Sequence, residues 1–358
     1  MKATEKLHDA GQSLWLDNIT RDLLTSGTLK RYIDTLSVTG LTSNPTIFDH
    51  AVSKSTAYDQ DIQALTKRSV PHEDLFFELA IADLQRAADL FKPIHERTAG
   101  VDGWVSLEVS PLLAYDTART VTAAKTLHEA AARPNLFIKI PGTKEGLPAI
   151  EEAIFSGVPV NVTLLFSREQ YLAAADAYLR GLERRIAAGL SPDVRSVASL
   201  FVSRWDKATM GKLPAELRDR VGIAVAKSTY AAYRDLIDSD RWQRLENSGA
   251  RPQRLLFAST GTKDPAAPDT LYIGALAAPN TVNTMPEETL LLFADHGDVS
   301  GVLPRDGGEA LHTLEAVARA GVDPADLAAS LQSEGAKSFD DSWSDLLKAI
   351  DAKSHALR

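Results

Sequence analysis

Lys139 is the residue of this sequence that is best placed for covalent chemistry. It interrupts the apolar run LFIKIP at residues 136–141, which has the composition of a buried parallel strand. Burial of a charged amine is costly, and desolvation lowers the pKa of the amine towards the range in which it attacks a carbonyl. A lysine that is ion-paired to Glu108 or Asp17 inside the core would produce the same pattern. The sequence alone leaves both interpretations open.

Two carboxylates end earlier apolar segments in the same way. Glu108 lies in SLEVS at residues 106–110, where burial would raise its pKa and suit it to general acid–base catalysis, directly or through a water molecule. It is equally suited to be the ion-pair partner of Lys139. Asp17 ends the segment LWLD at residues 14–17 and could accept a hydroxyl proton, although its position favours a capping role on the helix that follows.

Polar residues also follow several other apolar segments. Asn44, Asn161 and Thr163 could contact a substrate, although each could instead be a turn or helix-cap residue. Thr42 is a further polar residue at the end of a predicted strand. The cations and hydroxyl groups suited to a phosphate are those of Ser199, Arg204, Ser259 and Lys263. Gly261, close to Lys263, would let the backbone approach an anion.

The overall composition is that of an acidic globular protein. Of the 358 residues, 48 are acidic and 39 are basic, which gives a formal net charge of −9. Such a chain repels nucleic acid and anionic membranes unless it has a basic patch, and the sequence contains no such run. It also lacks a signal-peptide pattern in residues 1–16 and any stretch of roughly 20 apolar residues. We expect a cytoplasmic monomer or homodimer with no nucleic-acid or membrane partner.

Several other chemistries are excluded or unsupported by the sequence. The absence of cysteine excludes disulfides, thiolate metal sites and a cysteine nucleophile, and it is consistent with a reducing compartment. The eight histidines show no HExxH motif and no other paired ligand spacing. The sequence also has no Walker A loop, no GxGxxG fingerprint and no GxSxG elbow. We expect neither a metal site nor a nucleotide cofactor.

The candidate residues are distributed over a regular alternation of short apolar runs and longer helical patterns, which is typical of βαβ units and a parallel sheet. Eight strands are predicted, at residues 13–16, 38–41, 104–109, 136–140, 158–163, 197–202, 254–258 and 272–274. The main helical patterns are at residues 73–90, 120–131, 167–188 and 213–237. This order predicts an α/β fold of the (β/α)8 TIM barrel type, in which chemistry is placed at the C-terminal ends of the strands.

Helix-start patterns and a terminal amphipathic pattern agree with this architecture. N-cap residues precede proline at Asn44, Ser110 and Asp323. Near the C-terminus, one helical face carries Phe339, Trp343, Leu346, Leu347 and Ile350. We predict a single domain over residues 1–358, in which residues 286–358 are a helical extension whose last helix docks on the barrel.

Three longer segments resemble the transaldolases, a family of class I Schiff-base aldolases. GLTSNPTIF at residues 40–48 looks like the second-strand signature of the family, and IKIPGT at residues 138–143 looks like the strand that carries its Schiff-base lysine. GVPVNVTLLFS at residues 157–167 is similar to its fifth strand. With shorter matches at four other strands, the resemblance covers residues 10–285 approximately and implies a TIM barrel.

The resemblance implies a role for each candidate residue. Lys139 would form the Schiff base, and Asp17 would take and return the proton of the C4 hydroxyl. Glu108 would act as acid and base through a water molecule that Thr163 helps to hold. The residues that would contact the sugar and its phosphate are Thr42, Asn44, Asn161, Ser199, Arg204, Ser259 and Lys263.

The implied reaction belongs to the pentose phosphate pathway. It transfers a dihydroxyacetone unit from sedoheptulose 7-phosphate to glyceraldehyde 3-phosphate, which gives erythrose 4-phosphate and fructose 6-phosphate. The lysine supplies the electron sink, so no metal or organic cofactor is expected. The nearest alternative is a fructose 6-phosphate aldolase, which is a lyase. These aldolases are shorter than this chain and lack a carboxylate at the position of Glu108. A further alternative is a sugar-phosphate-binding barrel in which Lys139 is only an ion-pair partner.

Two segments depart from the family pattern. In SLFVSR at residues 199–204, the better-known members have proline and glycine at the positions of Leu200 and Ser203. In STGTK at residues 259–263, the family often has an arginine close to the serine, whereas this chain has Lys263 four residues on. A lysine binds phosphate as a point charge rather than as a bidentate fork, so the identity of the second phosphate ligand stays open.

Overall fold

Parallel strands form the centre of the molecule in the computed structural model, which describes residues 1–357. Within those residues the strands are β1 (Gln12–Asp17), β2 (Val38–Thr42), β3 (Val105–Glu108), β4 (Leu136–Pro141), β5 (Val160–Leu165), β6 (Ser196–Phe201), β7 (Arg254–Ala258) and β8 (Thr281–Met285). They are hydrogen-bonded in the order β2-β1-β8-β7-β6-β5-β4-β3. A parallel bridge between Gly40 and Trp104 joins β2 to the start of β3, so the sheet is a nearly closed barrel. The predicted (β/α)8 TIM barrel is confirmed.

Helices connect the strands and cover the outside of the barrel. Along residues 1–357 they are α1 (Ala3–Asp9), α2 (Arg21–Thr25), α3 (Thr28–Thr35), α4 (Pro45–Lys54), α5 (Asp59–Lys67), α6 (His72–Arg97), α7 (Thr117–Ala131), α8 (Gly146–Phe155), α9 (Arg168–Ala187), α10 (Ser203–Thr209), α11 (Val221–Asp238), α12 (Asp240–Asn247), α13 (Leu271–Ala275), α14 (Glu287–His296), α15 (Ala310–Arg319) and α16 (Pro324–Ala356). Two 3-10 turns lie at Pro111–Leu113 and Ala215–Leu217. None of the helices in this part of the chain is long and apolar enough to cross a membrane.

The strand register places candidate residues side by side at one level of the barrel. Glu108 on β3 is paired with Lys139 on β4, and Lys139 is in turn paired with Asn161 on β5. On the adjoining pair of strands, Asp17 on β1 is paired with Thr42 on β2. Every residue of β4 and β5 is buried because helices cover their outer faces, as the apolar runs around Lys139 and Asn161 predict.

The prediction of an eighth strand at residues 272–274 is wrong. Those residues belong to the short helix α13, and the eighth strand is Thr281–Met285. The strand sequence TVNTM has little apolar character, so it lacks the run that marks the other strands. Its polar side chains are buried and form hydrogen bonds inside the barrel, except that Nδ2 of Asn283 has no partner among residues 1–357. For example, the hydroxyl of Thr260 donates to the side-chain oxygen of Asn283 at 2.9 Å.

The helix predicted at residues 213–237 is interrupted. A 3-10 turn occupies Ala215–Leu217, and α11 begins only at Val221. Asp219 lies between them with a φ of 55°, a left-handed conformation that a continuous α-helix does not contain. The start of α11 is stabilised by a distant residue, because the carboxylate of Asp206 accepts a hydrogen bond of 2.9 Å from the backbone N–H of Val221.

The predicted helix starts before proline are confirmed at two of the three positions. Asn44 and Asp323 each accept a hydrogen bond from a backbone N–H in the first turn of α4 and α16, respectively. Ser110 makes no such bond and precedes only a 3-10 turn, so the prediction of a cap there is wrong. Because Asn44 lies two residues after the end of β2, its cap fixes the side chain at the C-terminal end of the barrel.

The C-terminal helix α16 docks on the barrel, as its apolar face predicts. Phe339, Trp343, Leu346 and Ile350 are buried, and Leu347 is half-buried. The helix packs against α4, α5 and α6 and reaches β5. The ring of Trp343 stands edge-on to that of Phe76, with 4.9 Å between the ring centroids.

Candidate active site

A cavity of about 280 Å³ opens at the C-terminal ends of the barrel strands. Barrel enzymes place their chemistry at this end. The predicted site residues that line the cavity are Asp17, Thr42, Asn44, Lys139, Thr163, Ser199, Arg204, Ser259 and Lys263. Glu108 and Asn161 lie on the strands that flank Lys139, each paired with it in the strand register. The structure therefore brings the predicted residues together.

A larger cavity, of about 610 Å³, lies at the opposite end of the barrel. Its lining includes Ser13 near the start of β1 and Arg254 at the start of β7. Arg254 forms an ion pair with Asp102 at 3.3 Å and donates a hydrogen bond to Ser13 at 2.6 Å. Two of the three arginines that line this larger cavity are thus paired with an acid, since Arg195 also forms an ion pair with Asp193 at 2.6 Å. In the smaller cavity Arg204 and Lys263 form no ion pair within residues 1–357, and this cavity lies at the end where barrel enzymes place their chemistry, so it is the better candidate for binding an anion.

Lys139 is buried in the wall of the smaller cavity, with 5% of its surface exposed. Its Nζ donates hydrogen bonds to Oε2 of Glu108 at 3.0 Å and to the backbone carbonyl of Ser43 at 2.9 Å. These two contacts fix the amine between β3, β4 and the end of β2. The two interpretations that the sequence leaves open are compatible, because the lysine is ion-paired and also faces a space that a carbonyl compound can enter.

Glu108 is a buried carboxylate that uses one of its two oxygens for a hydrogen bond. Oε2 accepts the hydrogen bond from Lys139, whereas Oε1 has no hydrogen-bond partner in the part of the chain that the structure describes. Burial raises the pKa of Glu108, the nearby Lys139 ammonium opposes this shift, and the charge of Asp17 adds to it. A carboxyl group with a raised pKa and a free oxygen is suited to giving and taking a proton.

Asp17 is held at the end of β1 by Thr42, whose hydroxyl donates a hydrogen bond of 2.7 Å to Oδ1. Burial raises the pKa of Asp17, while the charge of Lys139 and the hydrogen bond from Thr42 oppose the shift. The helix-capping role that the sequence favours is wrong. Thr20 caps the next helix, α2, by accepting a hydrogen bond from the backbone N–H of Leu23. Asp17 therefore presents its carboxylate to the cavity.

A buried polar network joins β5 and β6 next to the cavity. The hydroxyl of Ser199 donates to Oδ1 of Asn161 at 2.7 Å, and Nδ2 of Asn161 donates to the hydroxyl of Ser106 at 3.1 Å. Thr163 is buried, and its hydroxyl has no hydrogen-bond partner among residues 1–357, so it can bind a water molecule or a ligand hydroxyl. Asn44 uses Oδ1 to cap α4, which leaves its amide NH2 group for a ligand.

Arg204 is a mostly buried cation held by aromatic rings. Its Cζ lies 5.2 Å from the ring centroid of Phe201 and 5.9 Å from that of Phe339, so the guanidinium contacts both rings. Burial lowers the pKa of Arg204, and the carboxylate of Glu334 opposes this shift without forming an ion pair. A guanidinium in this setting is suited to an anion that enters the cavity.

Lys263 and Ser259 follow β7 and face the same space. Burial and neighbouring cations lower the pKa of Lys263, whereas the carboxylate of Asp17 raises it. Ser259 has a left-handed φ of 54°, and its hydroxyl shares a hydrogen bond of 2.9 Å with that of Ser203 at the start of α10. Two like charges in one cavity repel each other unless an anion lies near both. Arg204 and Lys263 are therefore suited to bind a phosphate together.

The cavity is also lined by residues that the sequence patterns do not indicate as site residues. They include His50, Phe201, Thr284 and Phe339. His50 and Phe201 lie close in the chain to predicted site residues, so their spacing could have indicated them. Thr284 belongs to β8, which the apolar pattern does not reveal, and Phe339 is recognisable only as part of a docking face. In the described residues, no group of three His, Asp or Glu side chains could hold a metal ion.

Comparison with known proteins finds similarity along almost the whole chain. The family described as transaldolase/fructose-6-phosphate aldolase matches residues 14–350. A protein named transaldolase from Parafrankia sp. (strain EAN1pec) is 46% identical over 358 residues, which covers 98% of this chain and 97% of the relative. The transaldolase of Thermobifida fusca (strain YX) is 47% identical over 355 residues, with 97% and 96% covered. Transaldolase 2 of Streptomyces coelicolor is 44% identical over 360 residues, with 98% and 97% covered.

Proposed function

The chain belongs to the transaldolase/fructose-6-phosphate aldolase family and is an enzyme of the transaldolase type, and we propose that Lys139 forms a Schiff base with its ketose phosphate substrate. One observation carries this proposal: a buried amine faces the cavity at hydrogen-bond distance from a carboxyl group with a free oxygen. The same arrangement supplies a nucleophile and a proton donor for condensation with a carbonyl.

Imine formation is the first step of the proposed reaction. Glu108 takes a proton from the ammonium of Lys139, and the neutral amine adds to C2 of the ketose while a proton moves from the attacking nitrogen to the former carbonyl oxygen. Glu108 then returns its proton to the C2 hydroxyl, which leaves as water. Oε1 of Glu108 and the hydroxyl of Thr163 are free to hold a water molecule through which these protons pass. The resulting iminium is an electron sink for the neighbouring carbon–carbon bond.

Carbon–carbon cleavage follows from the position of Asp17. Asp17 takes the proton of the C4 hydroxyl, the C3–C4 bond breaks, and its electron pair moves into the iminium to form an enamine. The aldose phosphate leaves, and the dihydroxyacetone unit stays bound to Lys139. A second aldose phosphate is attacked by the enamine, Asp17 returns the proton, and hydrolysis of the imine frees the new ketose. The raised pKa of Asp17 suits it to hold a proton between these two half-reactions.

The cavity also provides groups for substrate recognition. The amide groups of Asn44 and Asn161 would hydrogen-bond the dihydroxyacetone portion, and Arg204, Lys263 and Ser259 would bind the phosphate. On this basis the substrates are sedoheptulose 7-phosphate and glyceraldehyde 3-phosphate, and the products are erythrose 4-phosphate and fructose 6-phosphate. This exchange is the transaldolase step of the pentose phosphate pathway.

A coupled assay separates the transferase from the aldolase that shares its family description. Fructose 6-phosphate is supplied with and without erythrose 4-phosphate, and glyceraldehyde 3-phosphate and free dihydroxyacetone are both measured. A transferase should form glyceraldehyde 3-phosphate at a sustained rate only when the acceptor is present. Free dihydroxyacetone as the main product in both conditions would instead assign the chain to the lyase activity.

A further inference from the structure

The C-terminal helix α16 turns one face towards the mouth of the barrel. Gln332, Gly335 and Phe339 are spaced by three and four residues, so they share one side of the helix. Each of them lies against the C-terminal end of a strand or against Arg204. Trp343, one turn further on, packs instead against the ring of Phe76 on α6. The helix therefore has a part that meets the cavity and a part that only packs.

Gln332 fastens the helix to the ends of β4 and β5. Its Nε2 donates hydrogen bonds to the carbonyl oxygen of Gly142 at 3.1 Å and to that of Leu164 at 2.9 Å. Leu164 has a φ of 59°, an uncommon left-handed conformation for leucine, next to Thr163 in the cavity wall. The pairing of β5 with β6 is irregular at this point, and the glutamine supplies a donor that the carbonyl of Leu164 needs.

Gly335 allows α16 to come close to the cavity. A Cβ atom at this position would lie 3.0 Å from Cδ2 of Leu164 and 3.3 Å from Nη1 of Arg204. Both distances are shorter than ordinary van der Waals contact, so a side chain there would push the helix or the guanidinium away. The glycine therefore sets the spacing between α16 and Arg204.

Phe339 completes the wall of the cavity beside Arg204. Only 5% of its surface is exposed, and the guanidinium carbon of Arg204 lies 5.9 Å from its ring centroid. Together with Phe201, the ring restricts the orientation of the guanidinium. No carboxylate among residues 1–357 forms an ion pair with Arg204. The rings therefore hold the cation in place without neutralising its charge.

We propose that Phe339 is a positioning residue for the substrate phosphate, and that Gln332 and Gly335 place α16 for this role. The inference rests on the proposed function, since it concerns how a phosphorylated sugar is recognised. Phe339 acts through Arg204, because a guanidinium that is already oriented loses less conformational freedom when the phosphate binds. The ring takes no part in the carbon–carbon chemistry, so it should affect KM more than kcat.

The variant Phe339→Leu removes the ring and keeps an apolar side chain. For fructose 6-phosphate we expect kcat/KM to fall about five- to thirtyfold, mainly through KM, which is the loss expected for a largely buried cation–π contact. For unphosphorylated fructose, kcat/KM should stay within about twofold of the wild-type value. The matched control Trp343→Phe changes a residue of α16 that packs against Phe76 and does not line the cavity. It should leave kcat/KM unchanged for both substrates. An equal loss for both substrates, or a loss for neither, would overturn the proposal.

Calorimetric binding of inorganic phosphate distinguishes failure of this inference from failure of the proposed function, because binding needs no turnover. In proteins that circular dichroism shows to be folded, Phe339→Leu should weaken phosphate binding about five- to thirtyfold. Gln332→Met, which loses both hydrogen bonds to the strand ends, should weaken it in the same direction. Unchanged affinity in the folded variants overturns the inference even if the wild type is an active transaldolase. A wild type that binds phosphate but transfers no carbon unit would contradict the proposed function alone.

Discussion

Lys139 and Glu108 form a buried ion pair whose geometry is suited to both folding and the proposed chemistry. Glu108 contacts the amine through Oε2 and keeps Oε1 free, so the pair positions the lysine without occupying the whole carboxyl group. Because burial raises the pKa of Glu108, this carboxyl can take a proton from the lysine and leave a neutral amine. In the proposed mechanism, imine formation therefore depends on the acid as much as on the nucleophile.

Replacement of Glu108 by glutamine tests this dependence. The variant Glu108→Gln should slow Schiff-base formation roughly 10²- to 10⁴-fold, the usual contribution of a general acid–base group. Glutamine keeps the shape of the side chain and an oxygen that can accept a hydrogen bond from Lys139, so the barrel should remain folded. Single-turnover kinetics with fructose 6-phosphate measure the step. A rate within about threefold of the wild type would reduce Glu108 to a structural partner.

Individual residues differ in how far the sequence reveals them. Lys139 is recognisable because a charge inside an apolar strand has few structural explanations. Asp17 is misread, because capping residues and site residues are both polar residues at the end of a strand. Only the position of α2, which starts after Thr20, separates the two roles. Arg204 and Lys263 resemble ordinary surface cations until the fold places them in one cavity.

At the scale of elements, the short helix α10 carries Arg204, a candidate for binding the phosphate, and its position is fixed by hydrogen bonds to other helices. Arg204 is near its N-terminal end, and Asp206 follows two residues later. The carboxylate of Asp206 accepts hydrogen bonds from the backbone N–H groups of Val221 at 2.9 Å and Gly222 at 3.2 Å. It also accepts one from the hydroxyl of Tyr272 at 2.8 Å. These contacts tie α10 to α11 and α13 and so fix the helix that presents Arg204.

The burial of Asp206 leads us to expect that the free energy of unfolding depends on pH. Burial raises the pKa of Asp206 to about 6, and its three hydrogen bonds offset this only in part. Since the pKa of Asp206 is higher in the folded state than in the unfolded state, the folded state favours the protonated acid. The protonated Asp206 therefore stabilises the fold at low pH, and this stabilisation is lost as the pH rises through about 6. Relative to Asp206→Asn, the wild type should lose about 1 kcal/mol of unfolding free energy between about pH 5 and about pH 7.5. Urea unfolding at both pH values measures the difference, and parallel pH dependences of the two proteins would contradict it.

A strand or helix is predictable from the sequence where its buried side chains are apolar and form a regular pattern. The apolar run LFIKIP predicts β4, and all six of its residues are buried in the structure. In β8 the interior positions are polar and depend on partners such as Thr260, which lies far from Asn283 in the sequence. The break before α11 also depends on a distant carboxylate, that of Asp206. Apolar periodicity carries no information about such long-range hydrogen bonds, so these two elements are assigned wrongly.

At the scale of the whole molecule, the two ends of the barrel differ in how charge is arranged. At the N-terminal end of the strands, Arg254 is paired with Asp102. At the C-terminal end, Arg204 and Lys263 share a cavity, and neither forms an ion pair within residues 1–357. The chain as a whole carries a net charge of −9, so local cations rather than the overall field must hold a phosphorylated substrate.

The long helix α16 joins the cavity to the outer helices and predicts a separation of stability from activity. Trp343 packs edge-on against Phe76 and does not line the cavity. Trp343→Ala should therefore lower the unfolding free energy by about 3–5 kcal/mol, as is usual for truncation of a buried tryptophan. At a temperature where the variant is folded, its kcat/KM should equal that of the wild type. Urea unfolding and the transfer assay measure the two quantities, and a folded but inactive variant would contradict the separation.

The arrangement of α16 shows what a sequence conveys about the whole molecule. Its apolar face, which includes Phe339 and Trp343, predicts that the helix docks on the barrel. The sequence does not show which end of the barrel it reaches, because that depends on the hydrogen bonds from Gln332 to strand ends that lie 168 and 190 residues earlier in the chain. The part of the site that α16 contributes is therefore visible only in the folded molecule.

Borohydride reduction in the presence of fructose 6-phosphate, followed by peptide mass mapping, tests the chemistry of Lys139 most directly. Reduction should leave one covalent adduct, on the peptide that contains Lys139. The control Lys139→Ala should be folded by circular dichroism, inactive in the transfer assay and free of adduct. An unmodified Lys139 peptide, or an adduct on another lysine such as Lys263, would contradict the Schiff-base mechanism.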